Sequence, residues 1–301
     1  MIDSVDSDSF FVKLRRRWLY FFARFYSDKR FLEKLFPLRM GGAKLNLDNP
    51  QTFSEKLQWL KLNDHNPLYT IMVDKYEAKK YVASIIGDEY IIPTLAVYDN
   101  VKDIRFEDLP NQFVLKCTHD SGGVFICKDK AVVNEKEAKR MLARHLKRNY
   151  YWKNREWPYK NVRPRIIAEK YLTDDGNGLK DYKIFNFDGQ PKMVELDYNR
   201  FTGHLRKLYT PDWKLINATI KYPAGEETFQ EPKVLKEMLL LSSKLSQGIP
   251  HVRTDFYVVN NHVYFGELTF YHESGMAPMN PANFDNKIGE WIVLPRLERC
   301  Y

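Results

Sequence analysis

The sequence predicts an α+β fold, antiparallel hairpins with helices on one side rather than a doubly wound parallel sheet. Three observations carry this. Residues 166–172, 182–187, 191–196, 252–259 and 262–268 are β-branched and aromatic runs of strand length. The signals that separate neighbouring runs include tight turns, Asp-Asp-Gly-Asn-Gly at 174–178, Asp188-Gly189 and Asn260-Asn261, which favour hairpins over crossovers. Helical spacing dominates before residue 87 and returns only at 134–151 and 232–247.

Taken in order, residues 10–36 interleave Phe, Leu, Trp and Tyr with Arg and Lys at helical spacing, and one or two helices are expected there. Thr52 stands three residues before Glu55, as in a capping box, and Phe53, Leu57 and Leu60 would then share a helix face. A second helix is expected over 67–86, running through Asp74-Lys75 and ending at Gly87. Residues 91–98 read as a strand, and 113–116 and 124–128 as two strands joined by a turn at 118–123. Asn134 would cap the helix over 134–151. No internal repeat or low-complexity tract is present.

A chain of 301 residues buries a large core, and its 15% aromatic content argues against disorder. The net charge of +8 is concentrated in Lys13, Arg15, Arg16, Arg17, Arg24, Lys29 and Arg30 and again over 136–160, which suits acidic partners without choosing among them. Cys117, Cys127 and Cys300 are too sparse for a zinc site, and the odd count fits a reducing cytosol. No run approaches the roughly 18 apolar residues of a membrane span, and the opening Met-Ile-Asp-Ser-Val-Asp is not a secretory signal. The expectation is a cytoplasmic protein. Its basic aromatic stretch at 10–30 could lie on the inner face of an anionic membrane, or could be a core helix with snorkelling basic residues. No nucleic-acid motif accompanies the basic charge, so no nucleic-acid partner is expected.

The chemistry concentrates in three segments. Lys116 ends an apolar strand, where an ammonium must reach solvent or an anion, and Ser121-Gly122-Gly123 follows, a turn able to aim backbone N–H groups at phosphate oxygens. A strand-end lysine reaching the surface and an ordinary hairpin turn remain alternatives. Strand alternation puts Lys183 opposite Tyr182 and puts Arg253 and Asp255 on one face, either a plain ion pair or part of a site. Asp255 and Glu267 have the chemistry to hold Mg2+ together with substrate phosphates. His119-Asp120-Ser121 has the residue types of a hydrolase triad, but sequence neighbours do not form one.

With these segments in view the chain resembles the ATP-grasp superfamily, and within it the TupA-like branch of polysaccharide biosynthesis. The resemblance runs through Asn49-Pro-Gln-Thr-Phe-Ser-Glu-Lys-Leu-Gln-Trp-Leu-Lys, Asp74-Lys-Tyr, Ile92-Pro-Thr, Phe113-Val-Leu-Lys-Cys-Thr-His-Asp-Ser-Gly-Gly, Asp181-Tyr-Lys-Ile-Phe, Arg253-Thr-Asp-Phe-Tyr, Gly266-Glu-Leu-Thr-Phe-Tyr and Trp291-Ile-Val-Leu-Pro, and so covers nearly the whole chain. It implies an ATP-grasp fold of two lobes gripping ATP with a helical basic N-terminal extension. The implied division is a helical region over 1–66, a small α/β region over 67–112, the small lobe over 113–172 and the large lobe with the metal site over 173–301.

By the same resemblance Lys75 and Lys116 are similar to the two lysines that contact ATP phosphates, and Ser121, Gly122 and Gly123 to the loop that covers them. Glu169, Lys170 and Leu172 resemble the hinge that receives adenine, Lys183 and Arg253 further phosphate contacts, and Asp255 and Glu267 the magnesium ligands. The superfamily commonly has Glu-x-Asn at the metal, where this chain has Glu267-Leu268-Thr269, so Thr269 would ligate weakly, act through water or not act. The implied function is a Mg-ATP-dependent carboxylate–amine ligase, acting through an acyl phosphate on a sugar acid or amino acid of a surface glycan. His272, Glu273 and Ser274 are candidates for the acceptor pocket. The alternatives are a glycosyltransferase of the same pathway, or a non-catalytic binding protein on the same fold.

Overall fold

The computed structural model describes residues 10–173, 179–199 and 203–296, so the expected turn at 174–178 lies outside the described residues. Two helices open it, α1 (Phe10–Phe21) and α2 (Asp28–Arg39), followed by α3 (Phe53–Asn63), α4 (Leu68–Val73) and α5 (Glu77–Ile86). Helix α3 starts at the expected capping box, with Thr52 Oγ1 accepting from Glu55 N at 3.1 Å and Glu55 Oε2 accepting from Thr52 N at 3.2 Å.

The expected single helix over 67–86 is two. Asp74 leaves the helix in an extended conformation, and its carboxylate accepts from the N–H groups of Tyr76, at 2.9 Å, and Glu77, restarting the chain as α5. The intervening Lys75 N–H is then free to bond Thr118 O at 3.1 Å, so the break ties Lys75 to the glycine-rich turn. The expected helix over 134–151 likewise ends early. Helix α6 (Glu135–Leu146) stops before the short α7 (Tyr151–Asn154), and Asn134 caps α6 through Glu137 N.

Four strands, β1 (Thr94–Tyr98), β2 (Phe113–Cys117), β3 (Val124–Cys127) and β4 (Ile166–Lys170), form an antiparallel sheet in the order β1-β4-β2-β3. Ala138 and Leu142 of α6 close its core against Phe113, Leu115, Ile166 and Ala168. A second sheet holds β5 (Asp181–Phe187), β6 (Gln190–Tyr198), β7 (Leu205–Tyr209), β8 (Leu215–Ile216), β10 (Val252–Val259) and β11 (His262–Thr269), in the order β11-β10-β5-β6-β7-β8, while β9 (Thr219–Ile220) pairs separately with β12 (Met279–Asn280). Its buried apolar face, with Ile184, Val194, Leu196, Val252 and Phe256, shares a core with Leu235, Met238, Leu241 and Leu245 of α8 (Leu235–Leu245); α9 (Phe284–Gly289) packs beside α3. The other face carries the charges described below. Ile91, three residues before β1, makes an isolated bridge to Phe265 of β11.

Strand β7 was not expected. Arg206 of this Leu-Arg-Lys-Leu-Tyr strand is buried, paired with Glu195 and Asp197 of the neighbouring strand.

Candidate active site

The charged face is set by register. Across the large sheet, Glu195 on β6 stands opposite Lys183 on β5, Lys183 opposite Asp255 on β10, and Asp255 opposite Glu267 on β11. A second row runs beside it, with Arg206 opposite Asp197 and Asp197 opposite Asp181, while Arg253 stands opposite Thr269. Directly opposite residues of antiparallel strands share a face, so acids and bases of five strands meet on one surface. Glu267 reaches that surface through a bulge. Asp255 pairs with Glu267 but the next residue, Phe256, pairs with Phe265, leaving Gly266 as the extra residue. A side chain at Gly266 would approach Asp255 O to 3.1 Å and the Tyr257 ring to 3.2 Å, which is why a glycine sits inside this strand.

Within the face, Arg253 binds Asp255 in bidentate fashion, Nε to Oδ1 at 2.7 Å and Nη2 to Oδ2 at 2.6 Å, and also donates to Thr269 Oγ1 at 3.2 Å. Its Nη1 faces His272 Nδ1 at 2.6 Å and its Nη2 lies 3.7 Å from Glu267. Lys183 is paired with Asp181 and lies 3.3 Å from Asp197 and 3.9 Å from Asp255. Arg206 holds Asp197 through Nε at 2.7 Å and lies 3.1 Å from Glu195.

The small sheet brings Lys116, and the α4–α5 segment brings Lys75 and Lys79. Lys116, next to the last residue of β2, has its ammonium 2.6 Å from Glu169 Oε2, and Lys79 on α5 pairs with the other oxygen of Glu169. Lys75 donates to Asp120 O at 3.1 Å and lies 3.6 Å from Glu267, so it joins the glycine-rich turn to the large sheet. That turn is tight. Gly122 has φ of +91°, and a Cβ on Gly123 would lie 3.0 Å from the Cys117 Cβ and 3.1 Å from the His145 Cβ.

These surroundings separate the carboxylates. Burial pushes Glu267 up, but Lys75, Arg253, Lys183 and Lys116 together outweigh it and hold its carboxyl at about 2. Burial dominates at Asp255, whose carboxyl is raised to about 6 against the pull of Arg253 and Lys183. Burial likewise lifts Glu195 to about 8, with Arg206 opposing. Lys116 and Lys183 both lose hydration on burial, but Glu169 with Glu267 and Asp181 at Lys116, and Asp181 with Asp255 and Asp197 at Lys183, together raise their pKa values and keep them charged.

The structure therefore brings Lys75, Lys116, Lys183, Arg253, Asp255, Glu267 and Thr269 together. Glu169 has its carboxylate committed to Lys116 and Lys79, while Lys170 lies exposed at the end of β4, its N–H bonded to Pro93 O at 3.0 Å, and Leu172 follows beyond the strand. Sequence reading missed Lys79, Glu195, Asp197 and Arg206. The position of Lys79 one helical turn beyond Lys75 is the signal that could have found it. The His272–Ser274 turn is buried and engaged, with His272 on Arg253, Glu273 on Arg206 and Lys221, and Ser274 accepting from Lys61 at 3.0 Å and donating to Glu156 at 2.8 Å. His119 bonds Arg148 O and Asp120 pairs with His145, so no triad forms at 119–121.

Asp255 and Glu267 are hard oxygen donors on adjacent strands of one face, a set that suits Mg2+ held by one or two carboxylates and completed by phosphate oxygens. Among the described residues no group of three or more His, Cys, Asp and Glu side chains is arranged to hold a metal by itself.

Residues 55–293 match the family model of the TupA-like ATP-grasp proteins. No curated protein matches the chain. Solved structures similar to it include D-alanine–D-alanine ligase from Bacillus anthracis complexed with ATP, at 18% identity and a TM-score of 0.38, over 66% of this chain and 54% of that one. Another is the ATP-grasp ligase PsnB complexed with minimal precursor, Mg and ADP, at 10% identity and a TM-score of 0.40, over 72% of this chain and 57% of that one. A third is an ADP complex of purK, N5-carboxyaminoimidazole ribonucleotide synthetase, at 14% identity and a TM-score of 0.43, over 81% and 57% of the respective chains. The matched regions span little more than half of each of these proteins. The family match extends over most of the sequence, from α3 to beyond α9. The chain belongs to the TupA-like ATP-grasp family.

Proposed function

We propose that this protein is a Mg-ATP-dependent carboxylate–amine ligase that builds or modifies a cell-surface polysaccharide or its precursor. The observation that supports it best is the meeting of Lys75, Lys79 and Lys116 from one side with Lys183, Arg253, Asp255 and Glu267 from the other. In this reading Lys116, Lys75, Lys183 and Arg253 bind the phosphates, Ser121, Gly122 and Gly123 cover them, and the 169–172 segment receives adenine. Mg2+, when bound by Asp255 and Glu267, neutralises phosphate charge, and Thr269 acts by positioning Arg253.

A carboxylate oxygen of the substrate attacks the γ-phosphorus and the bond to the β-phosphate oxygen breaks, giving an acyl phosphate and ADP. An amine nitrogen then attacks the acyl carbon, phosphate leaves with the C–O bonding pair, and the nitrogen sheds a proton to water. Because these steps need position and compensated charge more than a side-chain nucleophile, the cationic face is the relevant machinery. Hydroxylamine trapping tests this. The expected result is ADP release and hydroxamate formation that both require a sugar acid or amino acid, whereas consumption of a sugar nucleotide without ADP release would put a glycosyltransferase in its place.

The proposal extends to a peripheral contact with an anionic membrane through residues 10–30. Phe10, Leu14, Trp18 and Phe21 lie four or three residues apart along α1 and so share a face; Phe10 is 73%, Trp18 57% and Phe21 76% exposed, and Phe25 beyond the helix is 83% exposed. The opposite face buries Leu19. Lys13 and Arg17 flank the exposed aromatics, as in helices that lie in a lipid interface. No helix among the described residues is long and apolar enough to cross a membrane. Trp18→Ser with Phe21→Ser is expected to weaken sedimentation with phosphatidylglycerol vesicles by roughly tenfold or more; equal sedimentation of parent and variant would remove this part of the proposal.

A further inference from the structure

Between the N-terminal helices and the glycine-rich turn lies a cavity of about 480 Å3, within the range of small-ligand sites. Its walls include Tyr20, Arg24, Ser121, Arg148, Trp152 and Lys153. Its position is informative. Ser121 forms one wall, the adjacent Asp120 carbonyl accepts from Lys75, and Lys75 reaches Glu267, so the cavity backs directly onto one end of the charged face.

Its charge is unbalanced. Asp120 is the one carboxylate among the lining residues, and it is engaged by His145 with Arg148 at 3.9 Å. Arg24 lies over the Trp152 ring at 5.4 Å and Lys153 over the Tyr150 ring at 5.7 Å; among the described residues neither has a carboxylate within ion-pair distance. Aromatic faces beside guanidinium and ammonium groups suit a ligand with apolar ring C–H faces and acidic substituents. A sugar acid has both.

We infer that this cavity, rather than the 272–274 turn, is the acceptor subsite, and that it takes a carboxylate-bearing sugar held by Arg24, Arg148 and Lys153 with its ring against Trp152. The inference rests on the ligase reading for the identity of the reaction, while the binding it requires stands apart from nucleotide binding. A carboxylated glycan seated here lies beside Ser121, on the cavity side of the turn that covers the phosphates.

The test is calorimetry on the full chain with trigalacturonate and with maltotriose, an uncharged chain of equal length, comparing the parent with the double variant Arg24→Gln, Lys153→Gln. Both side chains are at the surface, so the variant is expected to fold, and Mg-ATP binding is measured on each sample as a reference. Trigalacturonate should bind the parent, with affinity falling roughly tenfold or more in the double variant and for maltotriose, since charge-assisted hydrogen bonds are lost in both cases. Trp152→Ala should weaken trigalacturonate as well. Equal affinity of parent and double variant for trigalacturonate, or of the parent for the two sugars, overturns the assignment. Charge-dependent trigalacturonate binding by a parent that does not bind Mg-ATP would support the subsite and refute the ligase reading.

Discussion

Glu267→Gln is expected to lower ATP turnover by roughly two to three orders of magnitude, on the scale seen when one preorganised charge-stabilising group is removed from a reaction centre. The substitution is close to isosteric and keeps the bulge at Gly266, so the chain should fold, which circular dichroism would check. What it removes is a carboxylate that desolvation raises but that Lys75, Arg253, Lys183 and Lys116 together hold at about 2. Asp255, lifted by burial to about 6, cannot replace it at acid pH. Its own pH dependence has two opposite signs. A carboxyl whose pKa is raised on folding binds more protons in the folded state, so its contribution to stability is present below its ordinary pKa near 4 and lost as pH rises through about 6. Metal binding needs the deprotonated form and should strengthen over the same interval. ADP release by the Glu267→Gln protein at the parent's rate would show that the metal and phosphates sit elsewhere.

Arg253→Ala should produce the largest loss of stability, on the order of 3–5 kcal/mol, because it leaves buried carboxylates without their main partner. Asp255 would keep only Lys183 at 3.9 Å, Thr269 would lose its donor, and His272 would lose the guanidinium that now faces it at 2.6 Å. In a domain of this size that corresponds to a fall in melting temperature of roughly 10 °C. Arg253→Lys separates charge from shape, since an ammonium keeps the attraction but not the planar fork that holds both Asp255 oxygens. It should recover only part of the loss. A melting temperature for Arg253→Ala within a degree or two of the parent would mean that this network contributes little to the fold.

Much of this organisation is legible in the sequence, for identifiable reasons. The capping box at Thr52 and Glu55, the hairpin turns at Asp188 and Asn260, and the β-branched runs are local signals, and local signals are read from neighbours in the chain. The alternation that puts Arg253 and Asp255 on one face is also local, and the structure shows them bonded to each other. What escaped depends on distant residues. Helix propensity runs straight through Asp74-Lys75-Tyr76, but the Asp74 carboxylate recaps the chain, and Arg165, 91 residues away, holds that carboxylate at 2.7 Å. Strand β7 went unread, and the burial of its Arg206 depends on Glu195 and Asp197 of the adjoining strand. Residues 272–274 are read from sequence only as candidates for an acceptor pocket, and their packing under α3, where Lys61 and Gln58 bind the Ser274 carbonyl, depends on residues more than 200 positions away. A bulge is visible only in register, so the role of Gly266 in turning Glu267 toward Asp255 could not be read from the Phe-Gly-Glu sequence alone.

The central claim is that Lys75, Lys79 and Lys116 and the carboxylates of the large sheet form one Mg-ATP site. The most direct measurement is calorimetric titration of the purified chain with ATP, ADP and several sugar nucleotides, with and without Mg2+, alongside Lys116→Ala, which removes the ammonium 2.6 Å from Glu169 while leaving Lys79 on that carboxylate. The account predicts ATP binding that requires Mg2+ and is lost in Lys116→Ala. ATP binding that is unchanged in a folded Lys116→Ala protein, or binding of a sugar nucleotide alone, would contradict it.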